Sequence, residues 1–185
     1  QPVAAAGINP ADVVKGSLLT ELKKRKNIKV GFSTFIPWAM RDLKGELIGY
    51  EIDVANQLGK DSGWKTELIA MSWDGLIPSV LSGKIDCVIG GMSANVKRSQ
   101  TVAFSIPYEQ GGANIVANKK VAGGFKTMED LNSSDVIFAQ RRGTTGVTNV
   151  NRFMPKAKVM QFDDENTQYQ ELLSGRAHAV WSSAM

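Results

Sequence analysis

Short apolar runs alternate with helix-period segments along most of this chain, and that alternation constrains the fold more than any other feature. Ile28 to Ser33, Trp64 to Ala70, Ile85 to Ile89, Asp135 to Ala139, Ala157 to Gln161 and Ala177 to Trp181 read as strands. Helix patterns lie between them. Ser17 opens a short helix with Leu18, Leu19 and Leu22 on one side, and its last turn, Lys23 to Lys26, suits the negative end of the helix dipole. Ile52, Ala55 and Leu58 share a helical face, with Gly59 and Gly63 as stop signals. Asp74 is placed to cap Gly75 to Leu81, with Pro78 in the first turn and Gly83 at the end. Thr144 to Phe153 and Asn166 to Leu173 complete the helical set. Strands and helices in this order predict an α/β fold, with parallel-rich sheets covered by helices on both faces.

One internal echo points to two related halves. Leu81-Ser82-Gly83-Lys84-Ile85-Asp86-Cys87-Val88 matches Leu173-Ser174-Gly175-Arg176-Ala177-His178-Ala179-Val180: a helix stopped by glycine, a basic residue, then a buried strand. It sets Gly90-Gly91 and Ser182-Ser183 at equivalent strand ends, and ligands of open α/β sheets bind beyond such ends.

Composition removes several kinds of chemistry. At 185 residues the chain suits one large domain or two small lobes. A single Cys rules out a disulfide framework or a Cys-based zinc site, and a single His rules out His-rich metal centres. No metal and no cofactor is therefore expected. Cys87 reads as buried and inert and His178 as structural. The net charge of +4 comes from basic residues scattered among acidic ones, which argues against nucleic acid as a partner. No apolar run reaches the roughly 18 residues of a membrane span. Gln1 to Pro10 reads as a loose arm, and the opening Gln1-Pro2-Val3-Ala4 suits a secreted chain whose leader has been removed.

Two turns carry the features of a ligand site. In Gly90-Gly91-Met92-Ser93-Ala94-Asn95-Val96-Lys97-Arg98, paired glycines permit close approach to the backbone, while Ser93 and Arg98 can bind a carboxylate through parallel hydrogen bonds. A glycine-rich turn with Arg98 as a surface charge fits the same residues. Gly143-Thr144-Thr145-Gly146, between a strand and a helix, offers a second anion site or simply a threonine N-cap. Phe35-Ile36-Pro37-Trp38 and Ser72-Trp73-Asp74 put aromatics in turns after strands, where they serve as core or as pocket walls; Trp64 and Trp181 read as core.

The run Gly45-Glu46-Leu47-Ile48-Gly49-Tyr50-Glu51-Ile52-Asp53-Val54-Ala55 resembles a signature of the family 3 bacterial extracellular solute-binding proteins, the polar amino-acid receptors of ABC transporters. Collinear similarities continue through Ser72-Trp73-Asp74-Gly75-Leu76-Ile77-Pro78, Gly83-Lys84-Ile85-Asp86, Gly91-Met92-Ser93 to Arg98, Phe104-Ser105-Ile106-Pro107-Tyr108, Met128-Glu129-Asp130-Leu131 and Arg142-Gly143-Thr144-Thr145. The resemblance spans Leu18 to Val180.

It implies a type II periplasmic binding-protein fold whose two α/β lobes close on a ligand, residues 1–109 (with the N-terminal arm) forming the first and 110–185 the second. It implies that Arg98 and Ser93 hold the ligand α-carboxylate with help from Thr145, that the Gly91 carbonyl and Ser93 hydroxyl face the α-amine, and that Met92 and Thr144 also belong to the binding site. Phe35 and Trp73 would pack on the ligand side chain with Trp38 close by.

Two departures stand out. Ser183 occupies the position of the Asp that usually pairs with the ligand ammonium, leaving Glu51, Glu109 and Asp163 as possible substitutes. Family members also continue beyond the position of Met185, so a return segment is expected to be absent here. Arg141 either enters the cleft and favours an acidic ligand or is a solvated surface group. The function implied is a periplasmic receptor, not an enzyme, that hands an amino acid or small carboxylate to an ABC permease. The alternatives are a cyclohexadienyl-dehydratase-like enzyme, with Glu109 or Asp163 as its acid, and a ligand-sensing module of an envelope protein.

Overall fold

The computed structural model describes residues 17–184, so the expected arm at Gln1 to Pro10 lies outside the described residues. Helix α1 (Leu18–Arg25) starts at Ser17, whose hydroxyl accepts the Thr20 N–H, and leads into strand β1 (Asn27–Phe32). Of its three leucines only Leu22 is buried; Leu18 and Leu19 are about half exposed. A two-stranded ribbon of β2 (Met40–Arg41) and β3 (Leu47–Ile48), not expected from the sequence, precedes helix α2 (Tyr50–Ser62). Ile52 and Ala55 of α2 are buried, but Leu58 faces solvent. Gly59 does not stop this helix: it is buried within it, where any side chain would collide with Thr66, and Gly63 is the residue that ends it.

Strand β4 (Lys65–Ala70) is followed by a 3-10 turn (Trp73–Gly75), helix α3 (Leu76–Leu81) and the short strand β5 (Cys87–Val88). Asp74 lies inside the 3-10 turn and caps nothing; α3 begins without a side-chain cap. These strands form a parallel sheet in the order β4-β1-β5. The strand period of two then decides the core, because alternate residues of β1 face opposite layers. Ile28, Val30 and Phe32 meet Ala55 and Ile52 of α2. Gly31, facing the other way, lets Leu76 and Ile85 come against the sheet.

The second half begins after helix α4 (Val96–Ser99) with strand β6 (Gly112–Ala117), which the sequence reading did not anticipate because its small residues show no apolar alternation. Short helices α5 (Lys119–Ala122) and α6 (Met128–Leu131) follow, then β7 (Ile137–Arg141), α7 (Thr145–Phe153), β8 (Lys158–Phe162), α8 (Glu165–Ser174) and β9 (Ala179–Ala184). The sheet order is β6-β9-β7-β8. The pairs β7-β8 and β7-β9 are parallel, but β6 runs antiparallel to β9, so this sheet is mixed. Pairing with β6 carries β9 through Ser182 and Ser183; these serines lie within a strand and are not the free end that the internal echo suggested. Phe138 packs on Val150 of α7 and on Met154 just after it, while Ala139 faces Leu172 of α8. The next two residues of β7 inherit the same alternation: Gln140 meets Gly146 of α7, and Arg141 lies beside the start of α8.

His178 has the structural role read for it, its Nδ1 accepting the Ile137 N–H at 3.1 Å. Cys87 is half-buried, and burial pushes its thiol up to about 11, which keeps it protonated at neutral pH.

A carboxylate ties the first sheet to its leading helix. Asp86 is 8% exposed, accepts the Lys29 N–H at 2.7 Å and pairs with Arg25. Replacing it leaves a buried backbone donor unpaired and frees Arg25 to rehydrate. Asp86→Ala is expected to lower unfolding stability by about 2–3 kcal/mol, read from urea denaturation, whereas an exposed control such as Asp61→Ala stays within about 0.5 kcal/mol.

Candidate ligand cleft

Residues at or beyond the carboxyl ends of β1, β5 and β7 and late in β9 line one cavity, and among the described residues five hydrogen bonds cross between the two halves. Arg98 Nη2 donates to the Gly143 carbonyl at 3.1 Å, and Trp73 Nε1 donates to the same oxygen at 3.2 Å. Arg141 Nη1 donates to Ser33 Oγ at 3.3 Å and to the Thr34 carbonyl at 2.9 Å. The Ile36 N–H donates to Glu165 Oε2 at 3.3 Å. Between these bridges lies a cavity of about 440 Å³. The first half supplies Phe35, Trp73, Gly91, Ser93 and Arg98 to its wall, and the second half supplies Arg141, Thr144, Thr145 and Ser183.

Trp38 and Met92 do not reach this cavity. The Trp38 carbonyl accepts the Glu51 N–H, its ring meets Tyr50 edge-on at 5.7 Å, and Met92 packs on the Trp73, Leu76 and Ile85 cluster. Both residues line an adjoining space of about 220 Å³, which shares Phe35, Gly91, Ser93 and Ser183 with the main one. A third space of about 480 Å³ opens on the far side of Arg98, which thus forms a wall between two cavities.

Each guanidinium is held by its own local structure. Asn95 caps α4 by accepting the Arg98 N–H at 2.9 Å, and Arg98 Nη1 folds back to the Ser93 carbonyl at 2.9 Å. Its charge lies 5.7 Å from the Trp73 ring centre, and burial lowers its pKa. Arg141 is not the solvated group of the plainer sequence reading. It is 5% exposed, 4.8 Å above Trp73 and 5.7 Å from Phe35, because the last residue of β7 points between the two halves. Gly143 turns the chain at φ +73°, a conformation that favours glycine, and so brings its carbonyl to both Arg98 and Trp73. Thr144 occupies the N-cap position of α7 but does not cap it: its hydroxyl donates to the Arg141 carbonyl at 2.7 Å. The first turn of α7 thus faces the cleft without a side-chain cap, an arrangement suited to an anion.

The carboxylates sort themselves clearly. Asp163 pairs with Arg142 at 3.1 Å on the exposed surface, outside the cleft. Glu109 lines only the adjoining space. Glu51 also borders that space; it is 1% exposed and accepts the Tyr108 hydroxyl at 2.7 Å. Burial raises its pKa above the ordinary 4.5, opposed by the Tyr108 hydroxyl, and burial likewise raises Tyr108. Glu165, which the sequence reading missed, lines the main cavity; burial raises its pKa, opposed by the nearby Arg141 charge. In the sequence Glu165 looks like one more acid at a helix start, and only its position against Ile36 sets it apart. Gln140 and Gln168 were missed too; each is at least 95% buried and lines the same wall, and the sole hint was a glutamine following an apolar strand. Among the described residues no group of three or more His, Cys, Asp or Glu gathers to hold a metal, and no helix is long and apolar enough to cross a membrane.

Comparison with known proteins converges on one group. The profile of the bacterial extracellular solute-binding proteins, family 3, matches residues 28–175. The L-cystine-binding protein TcyJ of Escherichia coli K12 is 31% identical over 95% of this chain and 65% of its own length. The ABC transporter arginine-binding protein 1 of the same strain is 29% identical over 84% of this chain and 63% of its own length. This chain therefore spans slightly under two thirds of those relatives. A solved structure of the ancestral amino acid-binding protein AncCDT-1, a precursor of cyclohexadienyl dehydratase, is 38% identical with a TM-score of 0.86, over 90% of this chain and 74% of that one.

The raised Glu51 pKa has a sign that can be measured. The native state keeps this proton to higher pH than the unfolded chain, so its contribution to stability is complete below 4.5 and is lost as pH rises through the raised value. Glu51→Gln removes that loss while keeping an acceptor for Tyr108. In thermal melts the variant is expected to gain on the wild type as pH rises from 4.5 through the raised value. A variant that loses ground over this range would contradict the assignment.

Proposed function

Because this chain belongs to family 3 of the bacterial extracellular solute-binding proteins, we propose that it is a periplasmic receptor that captures an amino acid or related small carboxylate for an ABC-type importer. The described residues up to 109 act as one lobe and those from 110 onward as the other, and ligand is bound between them. The observation that carries this reading is the position of Arg98: it lies in the wall of a cavity built from both halves and already reaches across to a carbonyl of the facing half.

The chemistry follows from that position. A ligand carboxylate accepts from the Arg98 guanidinium more strongly than the neutral Gly143 carbonyl does. The Ser93 hydroxyl and the uncapped start of α7 at Thr144 and Thr145 supply further donors to the same anion. The Gly91 carbonyl and Ser93 take the α-amine; Ser183 adds a neutral hydroxyl where a carboxylate is usual, so the amine is held without charge pairing there. Phe35 and Trp73 form the apolar walls, while Trp38 and Met92 support them from the adjoining space. Each half holds only part of the ligand's partners, so binding favours the closed arrangement. A membrane permease is the receiving partner.

A second reading has one observation in its favour. Glu165 lies in the cleft with its pKa raised by burial, the direction a general acid requires, and AncCDT-1 is described as a precursor of a dehydratase. Turnover of prephenate or arogenate by the purified chain would replace the receptor reading with an enzymatic one.

The receptor reading predicts saturable thermal stabilisation by at least one amino acid or small carboxylate, about 2.7 kcal/mol when ligand stands at 100 times its Kd. Arg98→Ala is expected to weaken that ligand about 10–100-fold without loss of the folded state, as titration calorimetry would read. If no such ligand shifts the melt of folded protein, the reading fails.

A further inference from the structure

The receptor reading leaves one charge in the cleft without a task. Arg141 is 5% exposed, and among the described residues both of its hydrogen bonds leave from a single nitrogen, Nη1, to the neutral acceptors Ser33 Oγ and Thr34 carbonyl. Among the described residues Nε and Nη2 have no hydrogen-bond partner, and the side chain lines the main cavity. Glu165 feels the Arg141 charge, but the two do not form an ion pair within 4.0 Å among the described residues. Neither nitrogen is sealed off within the protein, so both can meet an acceptor that enters the cavity. Beside Arg141 the Nε2 of Gln140, another lining residue, is buried and unpaired, which gives the same wall a second unused donor.

We infer that Arg141 forms a second acceptor-binding subsite, so that the ligand is an amino acid or related carboxylate whose far end carries a carboxylate or carboxamide and not a cation. This rests on the receptor reading above and deepens it. Arg98 takes the α-carboxylate, and Arg141, fixed between the Trp73 and Phe35 rings, takes the far end. Electrostatics point the same way. The charged side chains lining the cavity are Arg98, Arg141 and Glu165, two positive and one negative, a net of +1. A monoanionic ligand such as glutamate neutralises that charge and a neutral one such as glutamine leaves it unchanged. A cationic ligand such as arginine doubles it inside a poorly hydrated space.

Titration calorimetry on the purified chain with L-glutamate, L-glutamine, L-alanine, L-lysine and L-arginine tests this. Glutamate or glutamine is expected to bind at least about tenfold more tightly than alanine, lysine or arginine, and the better of the two identifies the far group as carboxylate or carboxamide. Arg141→Met is expected to lower affinity for that ligand about 10–100-fold while changing alanine binding by less than about threefold. Glu165→Gln is expected to shift the ranking further from arginine towards glutamate, a readout that remains if Arg141→Met does not fold. Tightest binding of arginine or lysine would overturn the subsite, and so would an equal loss for every ligand in Arg141→Met, which would mark Arg141 as a structural bridge only. Binding by no compound in the panel would overturn the subsite as well, whereas the receptor reading fails separately, only when no amino acid or small carboxylate shifts the thermal melt.

Discussion

One indole organises this molecule. Trp73 sits at 7% exposure in the turn after β4, with two guanidinium groups against its ring and its own N–H donated to the Gly143 carbonyl. The cations come from opposite halves, Arg98 from the first and Arg141 from the second. Like charges do not gather without compensation, and here the compensation is the electron-rich ring face together with backbone carbonyls at Ser93, Thr34 and Gly143. The cleft between the sheets is therefore a place of fixed positive charge with weakly committed donors.

The rest of the fold explains how that charge is presented. Parallel strands release their chains at the same end of a sheet, and helices must start there, so strand ends and helix N-termini from each half converge on one surface. The β7 strand shows the effect most directly. Phe138 and Ala139 are consumed by the two helical layers, and the same alternation carries Gln140 and Arg141 into the wall of the cavity. The antiparallel strand β6 extends this arrangement by holding β9 in the sheet past Ser183, so that a short hydroxyl on a paired strand lines the cavity.

The acids of the region divide by environment. Asp163 is satisfied at the surface by Arg142 and has no part in the cleft. Glu51 is buried against Tyr108 and Gly91, where it supports the turn that carries Ser93. Glu165 faces the cavity but accepts a backbone N–H from Ile36, so it also helps to hold the halves together. Of the three acids proposed from sequence as partners for an ammonium group, none lines the main cavity. The acid that does line it belongs to a helix start that looks ordinary in one dimension.

What the residues reveal in order along the chain is what depends on near neighbours. Strand and helix periods, the Gly63 stop and the buried role of Ile52, Ala55 and Phe138 follow from local sterics and from which face is apolar, and most of the elements were legible on that basis. The turns that carry Ser93, Arg98 and Thr145 fitted a plain glycine-rich loop and a threonine N-cap as well as a ligand site, and it was the family resemblance that singled these residues out. Strand β6 escaped notice, since small residues pair by backbone bonds that leave no side-chain period. The fate of Arg141 and Glu165 was decided by contacts 108 and 129 residues away, with Ser33 and Ile36. Whether a charged side chain is solvated or enclosed depends on what packs over it, and that covering exists only once the two halves meet.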